Sequence, residues 1–152
     1  MVANARKSKK RSVASSRSLL EPIVFFTDEN LGRHVLSQTL RTAGEQVIAF
    51  HERFASGTKD PVWLPVIGRN GWILLTKDSR IRYRRNEMQA LLSSGARSFV
   101  LVSSNLPGSE MAEIFVKALP AMKRMCAQQP APFIAHVWRD GKVVLMATAR
   151  GV

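Results

Sequence analysis

The run Ile23-Val24-Phe25-Phe26 is apolar at every position, and that continuity constrains the fold more than any other feature of the chain. A strand with one face in water alternates apolar and polar residues. A strand that is apolar throughout is buried on both faces, as in a sheet covered by helices on each side. Val47-Ile48-Ala49-Phe50, Trp72 to Thr76 and Ser98 to Val102 read as further strands of the same kind. Between them lie helical patterns. Leu31, Val35, Leu36 and Leu40 keep one helical stripe, with Gly44 as a stop. Asp60-Pro61 reads as an N-cap followed by proline at the first helical position, and Trp63, Leu64 and Ile67 form the apolar face up to Asn70-Gly71. A short helix over Asn86 to Ser94 carries Met88, Leu91 and Leu92.

The clearest amphipathic helix spans Ser109 to Ala127, with Met111, Ile114, Phe115, Ala118, Leu119, Met122 and Met125 on one stripe. Pro120 is expected to kink it. Phe133 to Trp138 and Val143 to Ala147 flank Arg139-Asp140-Gly141 and predict a β-hairpin. Alternating strands and helices predict an α/β fold with a mostly parallel central sheet and a C-terminal hairpin. At 152 residues the chain suits a single domain. No run approaches the length of a membrane span. The single cysteine, Cys126, excludes an intramolecular disulfide and a cysteine-cluster zinc site, and it falls on a helical stripe as an inert core thiol. A reducing cytoplasm fits.

Charge narrows the partners. Twenty-three Lys and Arg against eleven Asp and Glu give a net charge of +12, which favours polyanions and nucleic acid first among them. Residues 1–20 hold Arg6, Lys7, Lys9, Lys10, Arg11 and Arg17 and no acid, and they read as a disordered basic tail. A phosphate-binding arm, a solubilising tail and an organelle transit peptide are the readings open for it. The domain over residues 21–152 remains basic, with 17 basic residues against 11 acids.

Against this background the acids are informative. Asp28 follows the first strand, and Asp78 follows the third. A strand order containing 2-1-3 makes those strands neighbours, roughly 4.8 Å apart, with both carboxylates on the sheet edge where α/β proteins bind ligands. Asp60 opens the helix that precedes the third strand, so it starts on the same edge. Three carboxylates gathered there repel one another. A hard divalent cation, Mg²⁺ or Mn²⁺, removes that penalty, and oxygen-only ligands suit it. Arg33, Lys77, Arg80, Arg82, Arg84 and Arg85 then suit a phosphodiester backbone, and metal-assisted hydrolysis is the natural chemistry. Each acid also has a plainer reading: Asp60 and Asp28 as helix caps, Asp78 as a turn cap, and Glu87 as a solvated helix acid. His34 and His51 lack a metal-ligand spacing, and His136 on the hairpin is equally unremarkable.

The segments FFTDENLG (Phe25–Gly32) and KDPVWLPVIGRNGWILLTKDSRI (Lys59–Ile81) resemble the PIN-like domains, a resemblance that covers about Ile23 to Ala90. FVLVSS and APFIAHVWRDGKV are similar to a toxin subgroup of them. PIN domains are metal-dependent ribonucleases of three-layer fold, many of them VapC-type toxins of bacterial toxin–antitoxin pairs. The resemblance implies RNA as substrate, Mg²⁺ or Mn²⁺ as cofactor and a cognate antitoxin as partner, and it allows a homodimer. Asp28 matches the family's first acid, Asp60 the acid opening the helix before the late strand, and Asp78 the acid of the Thr-x-Asp motif. Larger PIN domains carry another acid on inserted helices, whereas only 32 residues separate Asp28 from Asp60. Glu29, Glu45, Glu52 and Glu87 are candidates for that role, and Glu87 is preferred because it lies nine residues beyond Asp78 on a nearby helix. A non-catalytic nucleic-acid-binding module is the rival reading. A receiver domain also places acids after strands one and three, but it needs a lysine where Ser103-Ser104-Asn105 stands.

Overall fold

The structure is a computed structural model and describes residues 22–77, 85–102 and 105–150. Six strands form one sheet: β1 (Val24–Thr27), β2 (Gln46–Ala49), β3 (Ile73–Lys77), β4 (Arg97–Leu101), β5 (Phe133–Val137) and β6 (Val143–Thr148). Their order is β2-β1-β3-β4-β5-β6. The first five run parallel, and β6 returns antiparallel to β5 as the hairpin expected from the sequence. Gly141 turns that hairpin at a positive φ of 88°, and Asp140 Oδ1 accepts from the Lys142 N–H at 3.0 Å.

The continuous apolar strands feed two cores, because successive side chains point to opposite faces. Phe25, Ile73, Leu75, Phe99, Leu101, Phe133 and Val137 face one layer of helices, α1 (Val35–Thr42) and α4 (Gly108–Gln128). Phe26, Leu74, Val100 and Ile134 face the other, α2 (Asp60–Asn70) and α3 (Arg85–Ser93). The result is a three-layer α/β/α fold. Phe26 anchors the second core, with its ring against Phe50, Phe54, Trp63 and Trp72 at centroid distances of 5.8–6.1 Å. The helix α2 meets the end of α3 at Gly68, where a Cβ would overlap the Ser94 carbonyl.

Several sequence expectations shift. The first helical stripe is two elements, a 3₁₀ turn at Glu29–Leu31 and α1 from Val35, separated by Gly32 at a φ of 94°. Val35, expected on the buried stripe, is 48% exposed, and Leu31, Leu36 and Leu40 carry the burial. At the next helix the cap is Lys59, with Asp60 as the first helical residue and Pro61 the second. Phe50 leaves the second strand for a 3₁₀ turn at Phe50–Glu52. The long helix α4 runs on through the exposed Pro120 as one element, and Cys126 is buried on its inner face while Met125 is only partly so. Burial pushes the Cys126 thiol up to about 11, which keeps it protonated and unreactive. The basic stretch 1–20 lies outside the described residues.

Candidate active site

The strand order reverses direction between β1 and β3: the chain moves from β1 outward to β2, then returns to β3 on the other side. A cleft opens at the carboxyl ends of this pair, as the geometry of open α/β sheets requires. It holds about 360 Å³ and is lined by Asp28, Glu29, Asn30, Asp60, Thr76, Lys77 and Glu87, above Trp63, Leu64, Leu74 and Leu91.

Asp28 stands immediately after β1, and its backbone N–H donates to the Leu75 carbonyl at 3.0 Å, tying it to β3. It holds the N-cap position of the 3₁₀ turn in extended backbone, but its side chain makes no capping bond and faces β3 instead. There Thr76, itself 7% exposed, donates its hydroxyl to Asp28 Oδ2 at 2.6 Å. Asn30 braces the same pair: its Nδ2 donates to the Lys77 carbonyl at 2.7 Å, and its Oδ1 lies 3.3 Å from the Thr76 hydroxyl. Burial raises the Asp28 pKa above the ordinary aspartate value, and the Asp60 carboxylate adds to the rise. The Thr76 hydroxyl and the nearby N–H groups of Glu29 and Asn30 oppose it but do not cancel it.

Asp60 enters from α2, where the indole of Trp63 donates to its Oδ1 at 3.2 Å. Glu87, in the first turn of α3, also lines the cleft, with its Oε1 buried. The other acids considered for the additional family position separate cleanly. Glu45 is paired with Lys123 at 2.7 Å, and Glu52 takes the Arg41 guanidinium and the Ala49 N–H. Glu29 lines the cleft, but its carboxylate accepts from the Ser56 hydroxyl and the Gly57 N–H, holding the loop that leads to α2. Those bonds lower its pKa, so it is charged at neutral pH.

Thus Asp28, Asp60, Glu87 and Lys77 come together at one cleft. Arg33 lies beside Glu29 near the same edge, and the exposed Arg85 opens α3. Asp78, Arg80, Arg82 and Arg84 lie outside the described residues; Asp78 directly follows Lys77, the last residue of β3. Among the described residues no group of three or more His, Cys, Asp or Glu side chains is arranged to hold a metal ion. His34 and His51 meet edge to face at 5.2 Å but do not line the cleft. Among the described residues no helix is long and apolar enough to cross a membrane.

Thr76, Asn30 and Trp63 contribute to the site without having been given a role there from the sequence, Thr76 entering only as the threonine of the Thr-x-Asp motif. The signals were present. Thr76 and Asn30 flank the two strand-end acids at spacings of two residues, and Trp63 stands three residues after Asp60, on the same helical face.

Fold and cleft together define a PIN-like α/β protein, and residues 23–103 match the family described as a PIN like domain. The chain belongs to that family. It is also 31% identical over 116 residues to the protein named "Putative ribonuclease VapC45" of Mycobacterium tuberculosis (strain ATCC 25618 / H37Rv), across 74% of this chain and 83% of that protein. No solved structure matches it significantly.

Proposed function

We propose that the chain is an Mg²⁺- or Mn²⁺-dependent ribonuclease and the toxin of a type II toxin–antitoxin pair, acting in the cytoplasm with a cognate antitoxin. The observation that carries this reading is the Asp28–Asp60 pair. Asp28 is kept from solvent beside a second carboxylate, and both effects resist its charge. Such an arrangement is costly for an empty protein and favourable once a divalent cation neutralises it. The donor set is oxygen-only, which fits a hard cation. The family membership and the name of the M. tuberculosis relative support the same activity.

Asp28 and Asp60, with Asp78, would hold the ion. When bound, it would polarise the scissile phosphate and ease deprotonation of the attacking water. Hydrolysis forms a bond from that water to phosphorus and breaks the bond to one ribose oxygen. Glu87 accepts the proton the water gives up, and solvent returns one to the departing oxygen. Lys77 and Arg33, with Arg80, Arg82, Arg84 and Arg85, hold the phosphodiester backbone against the net repulsion of the acids.

The test is cleavage of end-labelled RNA by purified protein. Cleavage should require Mg²⁺ or Mn²⁺, stop in EDTA, and be lost in Asp28→Asn and Asp78→Asn. The net charge of +12 favours one second reading, a non-catalytic nucleic-acid-binding module. RNA binding without any metal-dependent cleavage would select it. Expression of the wild-type chain alone should arrest growth, with rescue by Asp78→Asn or by the neighbouring gene product. Normal growth with abundant folded protein would remove the toxin role while leaving the nuclease open.

A further inference from the structure

Trp63 puts a polar group where the fold has little tolerance for one. The side chain is 5% exposed and belongs to the second core. Its ring stacks on Phe26 at 5.8 Å and 24°, and meets Phe50 edge-on at 5.3 Å and 87°. A buried indole N–H needs an acceptor, since leaving it bare costs the desolvation of the group. The acceptor here is the Oδ1 atom of Asp60, one turn earlier on α2. The two partners are unequal in freedom. Asp60 is exposed and by itself can turn about its side-chain bonds, whereas Trp63 is wedged between two aromatic rings.

From this asymmetry we infer that Trp63 is a positioning residue for the metal-binding carboxylate: the core, acting through the indole N–H, fixes the direction of Asp60. The bond commits Oδ1 and leaves Oδ2 for a cation. It also fixes the carboxylate before any ion arrives, so that ordering the side chain is not charged against binding. Outer contacts of this kind orient metal ligands in many proteins, and losing one commonly weakens metal affinity by about 10–100-fold. At 3.2 Å the indole bond is long, so the lower end of that range applies here. A plainer role exists, in which the bond only satisfies the indole and Trp63 matters for packing alone. The two roles differ in what the removal of one hydrogen atom does.

The inference rests on the proposed metal reading, and the experiment keeps the two apart. Mn²⁺ binding is titrated by paramagnetic resonance in wild type, Trp63→Phe and Phe50→Leu. The second variant disturbs the same aromatic cluster but leaves the indole N–H in place. A fourth protein carries 3-benzothienylalanine at position 63, which keeps the shape of the indole and replaces N–H by sulfur; it serves if Trp63→Phe fails to fold. The expected result is a half-saturation concentration about tenfold higher for Trp63→Phe and for the benzothienyl protein, with Phe50→Leu close to wild type. The Trp63 indole ¹H–¹⁵N resonance should move on Asp60→Asn and, saturably, on Mg²⁺ addition to wild type. Wild-type affinity in both proteins lacking the N–H, or an equal loss in Phe50→Leu, would overturn the positioning role. A wild-type protein that takes up no Mn²⁺ would sink the metal reading, and this inference with it.

Discussion

Replacing Thr76 by valine changes one hydroxyl into a methyl group and little else. In wild type that hydroxyl donates to Asp28 Oδ2 at 2.6 Å, and the 3.3 Å separation from Asn30 Oδ1 is too long to compete for its single proton. A short hydrogen bond to a charged acceptor contributes roughly 1.5–3 kcal/mol to the charged form. At about 1.36 kcal/mol per factor of ten, its loss shifts Asp28 roughly ten- to a hundredfold toward the protonated form at a given pH. The shift adds to one already present, since burial and Asp60 both raise the Asp28 pKa and only the Glu29 and Asn30 N–H groups would remain to oppose them. A protonated carboxyl is a poor metal ligand, so Mn²⁺ binding to Thr76→Val should weaken most in acid and recover as pH rises. Thr76→Ser keeps the hydroxyl and should follow wild type. The assay is Mn²⁺ half-saturation across a pH series for the three proteins, with RNA cleavage measured in parallel. If Thr76→Val reproduces the wild-type pH profile, the hydroxyl does not govern the charge of Asp28, and the electrostatic account of the cleft is wrong.

Asp28→Asn should stabilise the metal-free protein. A carboxyl whose folded pKa exceeds its unfolded value makes the native state bind more protons between the two values, so wild-type stability falls as pH rises from near 3.8. The asparagine protein should therefore melt higher at neutral pH, with the advantage vanishing below that value, and Mg²⁺ should raise the wild-type Tm alone; a lower Tm for the variant at neutral pH would contradict the burial argument. Gly68→Ala should cost about 1–3 kcal/mol, read as a lower Tm, because the obstructing atom is the Ser94 backbone oxygen and cannot rotate aside. Arg82→Ala with Arg84→Ala should weaken RNA binding and flatten its salt dependence by roughly 0.7 in slope per lost phosphate contact on single strands. An unchanged slope would make those arginines an ordinary exposed face.

The architecture was legible because burial on both faces leaves a mark at every residue. Phe25 and Phe26 face different cores, so neither position could be polar, and the same holds for Ile73, Leu74 and Leu75. What misled was the run after β1. Leu31, Val35, Leu36 and Leu40 have helical spacing, yet the chain must first leave the sheet edge, and Gly32 at a φ of 94° breaks the run to do so. Val35 then falls on the outside despite its hydrophobicity. Side-chain type could not foretell this, since a single valine in water costs little. At Asp60 the helix start was read one residue late: aspartate and proline favour adjacent positions at a helix start, and Lys59 takes the cap through its extended backbone without a side-chain bond.

At the site the acids were easier to read than the groups that aim them, and the reason is physical. A carboxylate at a strand end is conspicuous because nothing in local structure asks for it. What Thr76 and Trp63 bond to is visible only in three dimensions. Threonine suits any strand, and tryptophan suits any apolar helical face, so each is fully explained by its own element until its polar atom is traced. Tracing matters because both polar atoms lie at positions 7% and 5% exposed, where an unmet donor is expensive, and both end on a cleft carboxylate. The sheet and the aromatic core thus each send one hydrogen bond into the cleft, to Asp28 and to Asp60 respectively. Burial is the main cause of the raised Asp28 pKa, and the Asp60 carboxylate, held at the same cleft, adds a smaller rise that the Thr76 hydroxyl opposes without cancelling. A partly buried, partly repelled acid pair gains most from a cation, and the two hydrogen bonds that aim these carboxylates would hold them ready for one.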